Sequence, residues 1–457
     1  MKTKVVIVGG GPGGSSCALS LAKHGIESVI VEKDTFPRYH IGESMTGEAA
    51  AIMRQIGMEK EMKNSNFPVK HGVKVYGAGG KNDWFVPVMA RDMDDNLIEQ
   101  STWQVRRSDF DKMLLEEAIA RGVNQISGQA IKPLVDDDGS VCGVEVRLDN
   151  GSNMKIESDV LLDCSGRSTF LASSGITGPK YRGNYDRQIA IFSQVSNTIR
   201  DSGNTRDTAK DNTLIFYQEK FHWAWFIPLD EEVVSVGVVN PSAYYLEKRQ
   251  SPKDFLIREL HELNPELKRR IPDVKLVEEA RSVVNYSYQV RRFTGKGFIC
   301  VGDAHRFTDP IFAFGLYATM KEAGLAAETV KDYFNGVDRD QPNPFARHQL
   351  LCERGLDVFE DLIDAFWEHP LAFSFFLHNR YTEQVIDIFS GRVFQSEPSK
   401  VTIAMRNLLN RVRTEESADD ISPPIGSRYH PERASLWETS LPPELEEWLE
   451  IHNSHDM

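Results

Sequence analysis

The sequence predicts an α/β fold: a Rossmann-like domain at the start, a mixed β-sheet inserted into it, and a helical region at the C-terminal end. Three observations predict this. An all-apolar run, Val5 to Val8, meets Gly9-Gly10-Gly11-Pro12-Gly13-Gly14 and is followed by a second apolar run, Ser28 to Val31. From Val141 the pattern changes to short alternating strands, and from Phe314 onward it is helical.

Each element has a local cause. Val5 to Val8, bounded by glycines, suits a strand buried on both faces of a parallel sheet. Pro12 to His24 reads as a helix stopped by Gly25, and Ser28 to Val31 completes a βαβ unit. Further helices are predicted from Thr46 to Ile56, closed by Gly57, and from Ser108 to Ala120, with Ser108 as the cap, Asp109 and Asp111 in the first turn and Gly122 past the end. Asn150-Gly151 stands between Val144 to Leu148 and Met154 to Leu162 as a hairpin turn does. Strands follow at Ile189 to Val195, Leu214 to Tyr217, Trp223 to Ile227 and Val233 to Val239. Ser251-Pro252-Lys253-Asp254 supplies a cap, a first-turn proline and an acid for a helix to Leu263. Phe298 to Val301 returns to strand, and Phe314 to Phe334 is a long helix ended by Gly336. The rest is helical except for an irregular arm at Thr414 to Arg433. The expected division is residues 1–335, carrying inserted sheet at about 60–105 and 170–290, and residues 336–457.

Composition narrows the function. The 457 residues are 40% hydrophobic, 26% charged and 10% aromatic, which suits a folded chain with several cores. With 53 Lys and Arg against 67 Asp and Glu, the formal charge of −14 repels polyanions, so nucleic acid and anionic membrane are not expected partners. Five scattered cysteines, Cys17, Cys142, Cys164, Cys300 and Cys352, form no CxxC pair, so neither a disulfide framework nor a bound metal is expected. The opening MKTKVVIVGGGPGG has too short an apolar run for a signal peptide, and no run approaches the ~18 residues of a membrane helix. A reduced, soluble, cytoplasmic protein is expected.

Gly9, Gly11 and Gly14 fit GxGxxG between a strand and a helix, and Glu32 ends the next strand 18 residues after Gly14. Glycines let the backbone approach a pyrophosphate, the helix N-terminus offers free amides, and the acid accepts from a ribose. This pattern serves NAD and FAD alike. Four further elements decide between them: Arg38-x-His40-x-Gly42-Glu43-Ser44, Val105-x-Arg107-x-x-Phe110-Asp111, Asp163-Cys164-Ser165-Gly166-Arg167, and Gly302-Asp303 ahead of Asp309-Pro310. Together they resemble the FAD-containing aromatic hydroxylase superfamily, whose FAD domain is glutathione-reductase-like. The resemblance implies FAD held by the glycine loop (Gly9, Gly11, Gly13, Gly14), Glu32 and Lys33, Arg38, Glu43 and Ser44, Arg107, Asp163, Gly302 and Asp303, and Pro310 and Gly315.

A more particular string is Trp223-Ala224-Trp225-Phe226-Ile227-Pro228, with Phe67-Pro68-x-Lys70-x-Gly72 upstream. Here the chain is similar to the flavin-dependent halogenases acting on phenols, pyrroles or carrier-bound aromatics. The similarity implies that Trp223, Trp225, Ile227 and Pro228 separate flavin from substrate and that Lys70 is catalytic. It also implies a partner reductase supplying FADH2, a chloride or bromide co-substrate turned into hypohalous acid, and an aromatic small molecule or carrier-tethered substrate. An ammonium donates hydrogen bonds to such an oxidant, and a desolvated amine can itself be halogenated. The family's hydroxyl residues after DPxF are replaced here by Ala313-Phe314, leaving the halide to backbone at Gly315 and Leu316. His222 replaces a glycine before the first tryptophan, and Cys164 a small residue. His40, His222 and His305 read as structural. A flavin monooxygenase, an isoprenoid double-bond reductase and a non-catalytic flavoprotein stay open as alternatives on the same scaffold.

Overall fold

Lys2–Val8 lies at the centre of the first sheet because it has no polar face to offer water: Val5, Val6 and Ile7 are wholly buried. Burying each such side chain is worth about 1.5–3 kcal/mol. The computed structural model describes residues 1–416 apart from 184, 186, 285, 286, 291 and 396, with side chains as far as residue 409. Lys2–Val8 runs parallel to Ser28–Glu32 on one side and to the second half of Asn153–Asp163 on the other. Asn124 to Ser127 extends the parallel row beyond Ser28–Glu32, and Phe298–Cys300 extends it beyond Asn153–Asp163. The remaining halves of Asn124–Val135 and Asn153–Asp163 pair antiparallel with Val141–Leu148.

The helix Pro12–Lys23 follows the first strand with a proline in its first turn. Its entry turn depends on glycine. A Cβ on Gly14 would stand 1.8 Å from the Gly9 carbonyl oxygen, and Gly9 itself has φ +105°. Gly25 at φ +68° closes the helix, as its position in the sequence predicts.

The second, eight-stranded sheet joins distant segments. Thr213–Glu219 pairs in parallel with Gly72–Tyr76 and antiparallel with His222–Pro228, which in turn pairs with Val234–Pro241. One face, with Ala190, Phe192, Ile215, Trp223, Trp225 and Ile227, turns toward the core shared with the first sheet. The other face, with Ile191, Phe216, Ala224 and Phe226, is covered by Phe255, Leu256 and Leu260 of the helix Pro252–Glu262. Ser251 caps that helix by accepting from the Asp254 amide at 3.1 Å, as predicted.

The chain then becomes helical, with Gly315–Phe334, Ala346–Glu368, Pro370–Phe375, Thr382–Ser390 and Lys400–Glu416. Four expectations are corrected. The helix predicted from Thr46 begins at Ala49, because Ser44 bridges Gln104 and the Met45 amide donates to the Trp103 carbonyl, keeping that stretch extended. Ser108 does not cap its helix. Arg107–Ala120 starts one residue earlier behind Arg106, and the Ser108 hydroxyl donates to Asp109 Oδ1 instead. The strand Asn124–Val135 has no counterpart in the predicted elements. The arm predicted from Thr414 starts within the helix Lys400–Glu416, and its part from 417 to 433 lies outside the described residues.

Candidate active site

The glycine turn and its neighbours form a cradle. The Gly9 amide donates to the Val31 carbonyl at 2.8 Å, which fixes the loop against the second strand. Glu32 accepts from the Gly10 amide at 2.6 Å and from the Asp34 amide at 2.8 Å, while Lys33 is exposed beside it. The Arg38 guanidinium reaches the loop: its Nη2 lies 3.3 Å from the point where a Cβ on Gly11 would stand. Arg38 forms ion pairs with Asp111 through Nη1 at 3.3 Å and with Asp34 through Nε at 3.6 Å, neither of which is a hydrogen bond. Arg107 grips Asp111 through Nε at 2.6 Å and Nη2 at 3.0 Å, and donates from Nη1 to the Ile41 carbonyl at 2.6 Å.

On the far side, Gly302 has φ +63° and its amide donates to Glu322 Oε2 at 2.7 Å. The neighbouring Asp303 carboxyl is pushed up to about 6 by burial. Asp163 spends both oxygens on backbone, accepting from Ser165 at 3.0 Å and Leu171 at 2.8 Å, so it fastens the turn. Pro310 is half-buried, and Asp309 before it accepts from the Ile311 amide at 3.0 Å. The residues fit FAD: a loop that side chains would fill, an under-bonded guanidinium for a pyrophosphate, and an acid at the opposite end.

Lys70 lies buried just before the second sheet's strand Gly72–Tyr76. It belongs to the short strand Val69–Lys70, paired with Thr102–Trp103, and is 2% exposed. Its Nζ donates to Ser44 Oγ and to the Met45 carbonyl, both at 2.8 Å. The Ser44 hydroxyl is hydrogen-bonded to Thr213 Oγ1 at 2.8 Å, and Gln104 Nε2 donates to the same Thr213 oxygen at 2.8 Å. The partners of the amine are neutral, so burial alone brings its pKa down from 10.5 to about 7.

The tryptophan string runs along His222–Pro228 with every residue buried. Alternation sends Trp223, Trp225 and Ile227 to one face and Ala224 and Phe226 to the other, as the spacing predicts. The Trp223 and Trp225 rings lie 5.9 Å apart. Gly237 opposite Trp225 is obligatory, because a Cβ there would fall 2.2 Å from the indole. Ile215 pairs with Trp225 across the strands, so Thr213, two residues earlier, faces the tryptophan side of the sheet. Lys70 is thus tied through Ser44 and Thr213 to the face that carries the indoles.

Glu43 is buried at 1% exposure beside this network. Burial raises its carboxyl to about 7 against the pull of the Ser235 hydroxyl and Arg107. Ser235 also accepts from the Trp225 indole N–H at 3.1 Å. Phe314 stacks on Phe359 at 4.0 Å, and Ala313 before it has φ +58°. Gly315 opens its helix with free space beyond its Cα, and Leu316 next to it is buried. The three histidines are engaged structurally: His40 against Arg107 at 3.2 Å, His222 with Glu259 at 2.8 Å, and His305 with Glu322 at 2.9 Å.

Three features escape a reading of the sequence. Thr213 and Gln104 lie 169 and 60 residues from Ser44 in the chain (213 − 44 and 104 − 44), and no local pattern marks them. Ser235 carries no motif either. Nor does Trp84, whose ring lies 5.7–6.4 Å from Phe312, Phe366, Phe373 and Phe389. Among the described residues, no group of three or more His, Cys, Asp or Glu could hold a metal ion, and no helix is long and apolar enough to cross a membrane.

Sheet, glycine cradle and guanidinium define an FAD-binding protein, and the family described as FAD binding domain matches residues 2–337. A 1H-pyrrole-2-carbonyl-(peptidyl-carrier protein) brominase of Pseudoalteromonas luteoviolacea (strain 2ta16) is 36% identical over 406 residues, covering 89% of this chain and 96% of that protein. The corresponding chlorinase of Pseudomonas fluorescens (strain Pf-5) is 26% identical, covering 90% and 94%. The solved structure of flavin-dependent brominase Bmp2 superposes with a TM-score of 0.83 at 35% identity, covering 91% of this chain and all of that one. The chain belongs to the flavin-dependent halogenases, enzymes of this FAD-binding family that take a halide as co-substrate.

Proposed function

We propose that this enzyme halogenates a pyrrole-like aromatic acyl group presented on a carrier protein, and that Lys70 is its catalytic residue. The observation that carries this reading is the Lys70 amine itself: 2% exposed, bonded to neutral oxygens, and held near neutrality with a pKa of about 7. A lysine in an ordinary polar loop has none of these properties. The carrier-bound pyrrole is taken from the brominase and the chlorinase to which the chain is similar. A flavin reductase is proposed as the source of reduced cofactor.

When bound, reduced FAD supplies the electrons with which dioxygen turns halide into hypohalous acid. The protein's own work is binding, partition and delivery. Gly9, Gly11, Gly13 and Gly14 admit the pyrophosphate, with Arg38 as counter-charge and Glu32 and Lys33 at the adenosine end. Gly302, Asp303 and Pro310 take the ribitol side, backed by Glu43, Ser44 and Arg107, while Asp163 keeps its turn in place. The backbone at Gly315 and Leu316 holds halide at a helix N-terminus. Trp223, Trp225, Ile227 and Pro228 form the wall. Beyond it, Lys70 presents N–H donors to the hypohalous acid while Ser44 and Met45 fix the direction of the amine.

The same reading gives the domain plan: a Rossmann-like, glutathione-reductase-like FAD domain over 1–335, with the substrate sheet inserted at about 60–105 and 170–290, and a C-terminal helical region over 336–457. The pairing of Gly72–Tyr76 with Thr213–Glu219 supports treating the two insertions as one sheet. The test combines the enzyme with FAD, a flavin reductase, NADH, bromide and a pyrrolyl carrier protein. Brominated product from the wild type and none from Lys70→Ala with FAD still bound supports the proposal. Full turnover by the variant ends it.

A further inference from the structure

Two thiols in the cradle have no part in the chemistry above. Cys17 lies on the helix Pro12–Lys23 and Cys164 follows the strand Asn153–Asp163. They are 147 residues apart in sequence, yet their Sγ atoms stand 3.8 Å apart. Cys17 is 0% exposed and Cys164 is 9% exposed. Cys164 also touches the glycine loop directly. Its amide donates to the Val8 carbonyl at 2.9 Å, and a Cβ on Gly9 would meet its carbonyl oxygen at 2.4 Å.

A disulfide requires sulfurs about 2.05 Å apart, so the pair must close from 3.8 Å by about 1.8 Å. The hydrogen bond to Cys17 and burial raise the Cys164 thiol well above its ordinary range, so it is no ready thiolate. Thiol–disulfide exchange, which needs the thiolate, is therefore slow here. Hypohalous acid is a stronger electrophile that reacts with neutral thiols, and this family of enzymes generates it in the protein interior.

We propose that Cys17 and Cys164 are a site of oxidative modification, closing to an intramolecular disulfide when hypohalous acid strays from its path, and loosening the FAD cradle as they close. The proposal rests on the reading of hypohalous acid as the species delivered to Lys70. One thiol takes the halogen from HOX, giving a sulfenyl halide and water. The second thiol displaces halide, forming the S–S bond and releasing a proton. In sum, two thiols and HOX give disulfide, water, halide and a proton: the sulfur pair loses two electrons and the halogen gains them. Because Cys164 adjoins Gly9, drawing it toward Cys17 moves the turn that receives the pyrophosphate.

The test treats the FAD-loaded enzyme with one equivalent of hypobromous acid, then maps its peptides without reduction. The expected result is a Cys17–Cys164 cross-linked peptide lighter by two hydrogens, loss of bound flavin, and recovery of both with dithiothreitol. The cross-link is expected to be absent in Cys164→Ala, which keeps its flavin under the same dose. No cross-link in the wild type, or one joining other cysteines, overturns the proposal. A second arm runs turnover with bromide and no aromatic substrate. Cross-linking there supports the self-inflicted origin. Cross-linking by reagent alone, in an enzyme that does brominate its substrate, refutes that origin, whereas an enzyme that makes no brominated product at all refutes the functional reading and leaves the reagent arm to judge the thiols.

Discussion

Replacing Lys70 by methionine tests the burial of its amine without emptying the space it fills. The amine's pKa is 10.5 in the unfolded chain and about 7 in the fold, a difference of about 5 kcal/mol in charging work at about 1.36 kcal/mol per unit. The unfolded chain binds the proton up to about 10.5 while the folded protein releases it near 7, so the unfolded state holds more protons in between. Wild-type stability therefore rises with pH across that window. At about pH 6 the lysine costs the fold nearly all of that, about 5 kcal/mol, and at about pH 9 about 2 kcal/mol. Lys70→Met removes that cost but orphans the Met45 carbonyl, a loss of about 1–3 kcal/mol, while Ser44 keeps its bond to Thr213. The variant is thus expected to be more stable by about 3 kcal/mol at about pH 6 and equal to wild type at about pH 9. For a chain of 457 residues this amounts to about 1 °C in melting midpoint per kcal/mol. Thermal and urea unfolding at both pH values measure it. A variant that is less stable at the lower pH, or a gap that does not change with pH, refutes the assignment of Lys70 as a desolvated amine bonded only to neutral oxygens.

Other expectations are as specific. Thr213→Val removes the oxygen shared by Ser44 and Gln104 and should lower kcat by about tenfold, the worth of one hydrogen bond, with FAD binding unchanged; an unaltered kcat contradicts the positioning role. Gly14→Ala puts a methyl group 1.8 Å from the Gly9 carbonyl oxygen, so purified protein should carry no flavin absorbance, and retention of the yellow cofactor speaks against the cradle. Trp223→Ala empties a fully buried site at a cost of about 3–5 kcal/mol, read by urea unfolding. It should also release oxidant to a bromination trap in solution; a tight variant means the indole is packing and not partition.

The glycine turn, Glu32 and the two-sided burial of Lys2–Val8 were legible because each rests on local chemistry, a φ above zero or an unbroken apolar run. The tryptophan face was legible from alternation alone. Asn124–Val135 was not, because only Gly128 and Pro133 in it are buried, so neither period appears. The start of Ala49–Gln55 was misplaced for a nonlocal reason: Ser44 is held extended by Gln104, a contact that helix propensity cannot foresee. The same applies to the site. Lys70 could be singled out by its surrounding string, but its neutral oxygen partners come from segments whose meeting depends on the whole second sheet.

The most direct measurement is the yield of brominated carrier-bound pyrrole per reduced FAD consumed, compared between wild type and Lys70→Met with equal bound flavin. The account predicts the same rate of flavin oxidation in both, with product in the wild type and none above background in the variant. Equal product yield from the two would show that the oxidant reaches the ring without that amine.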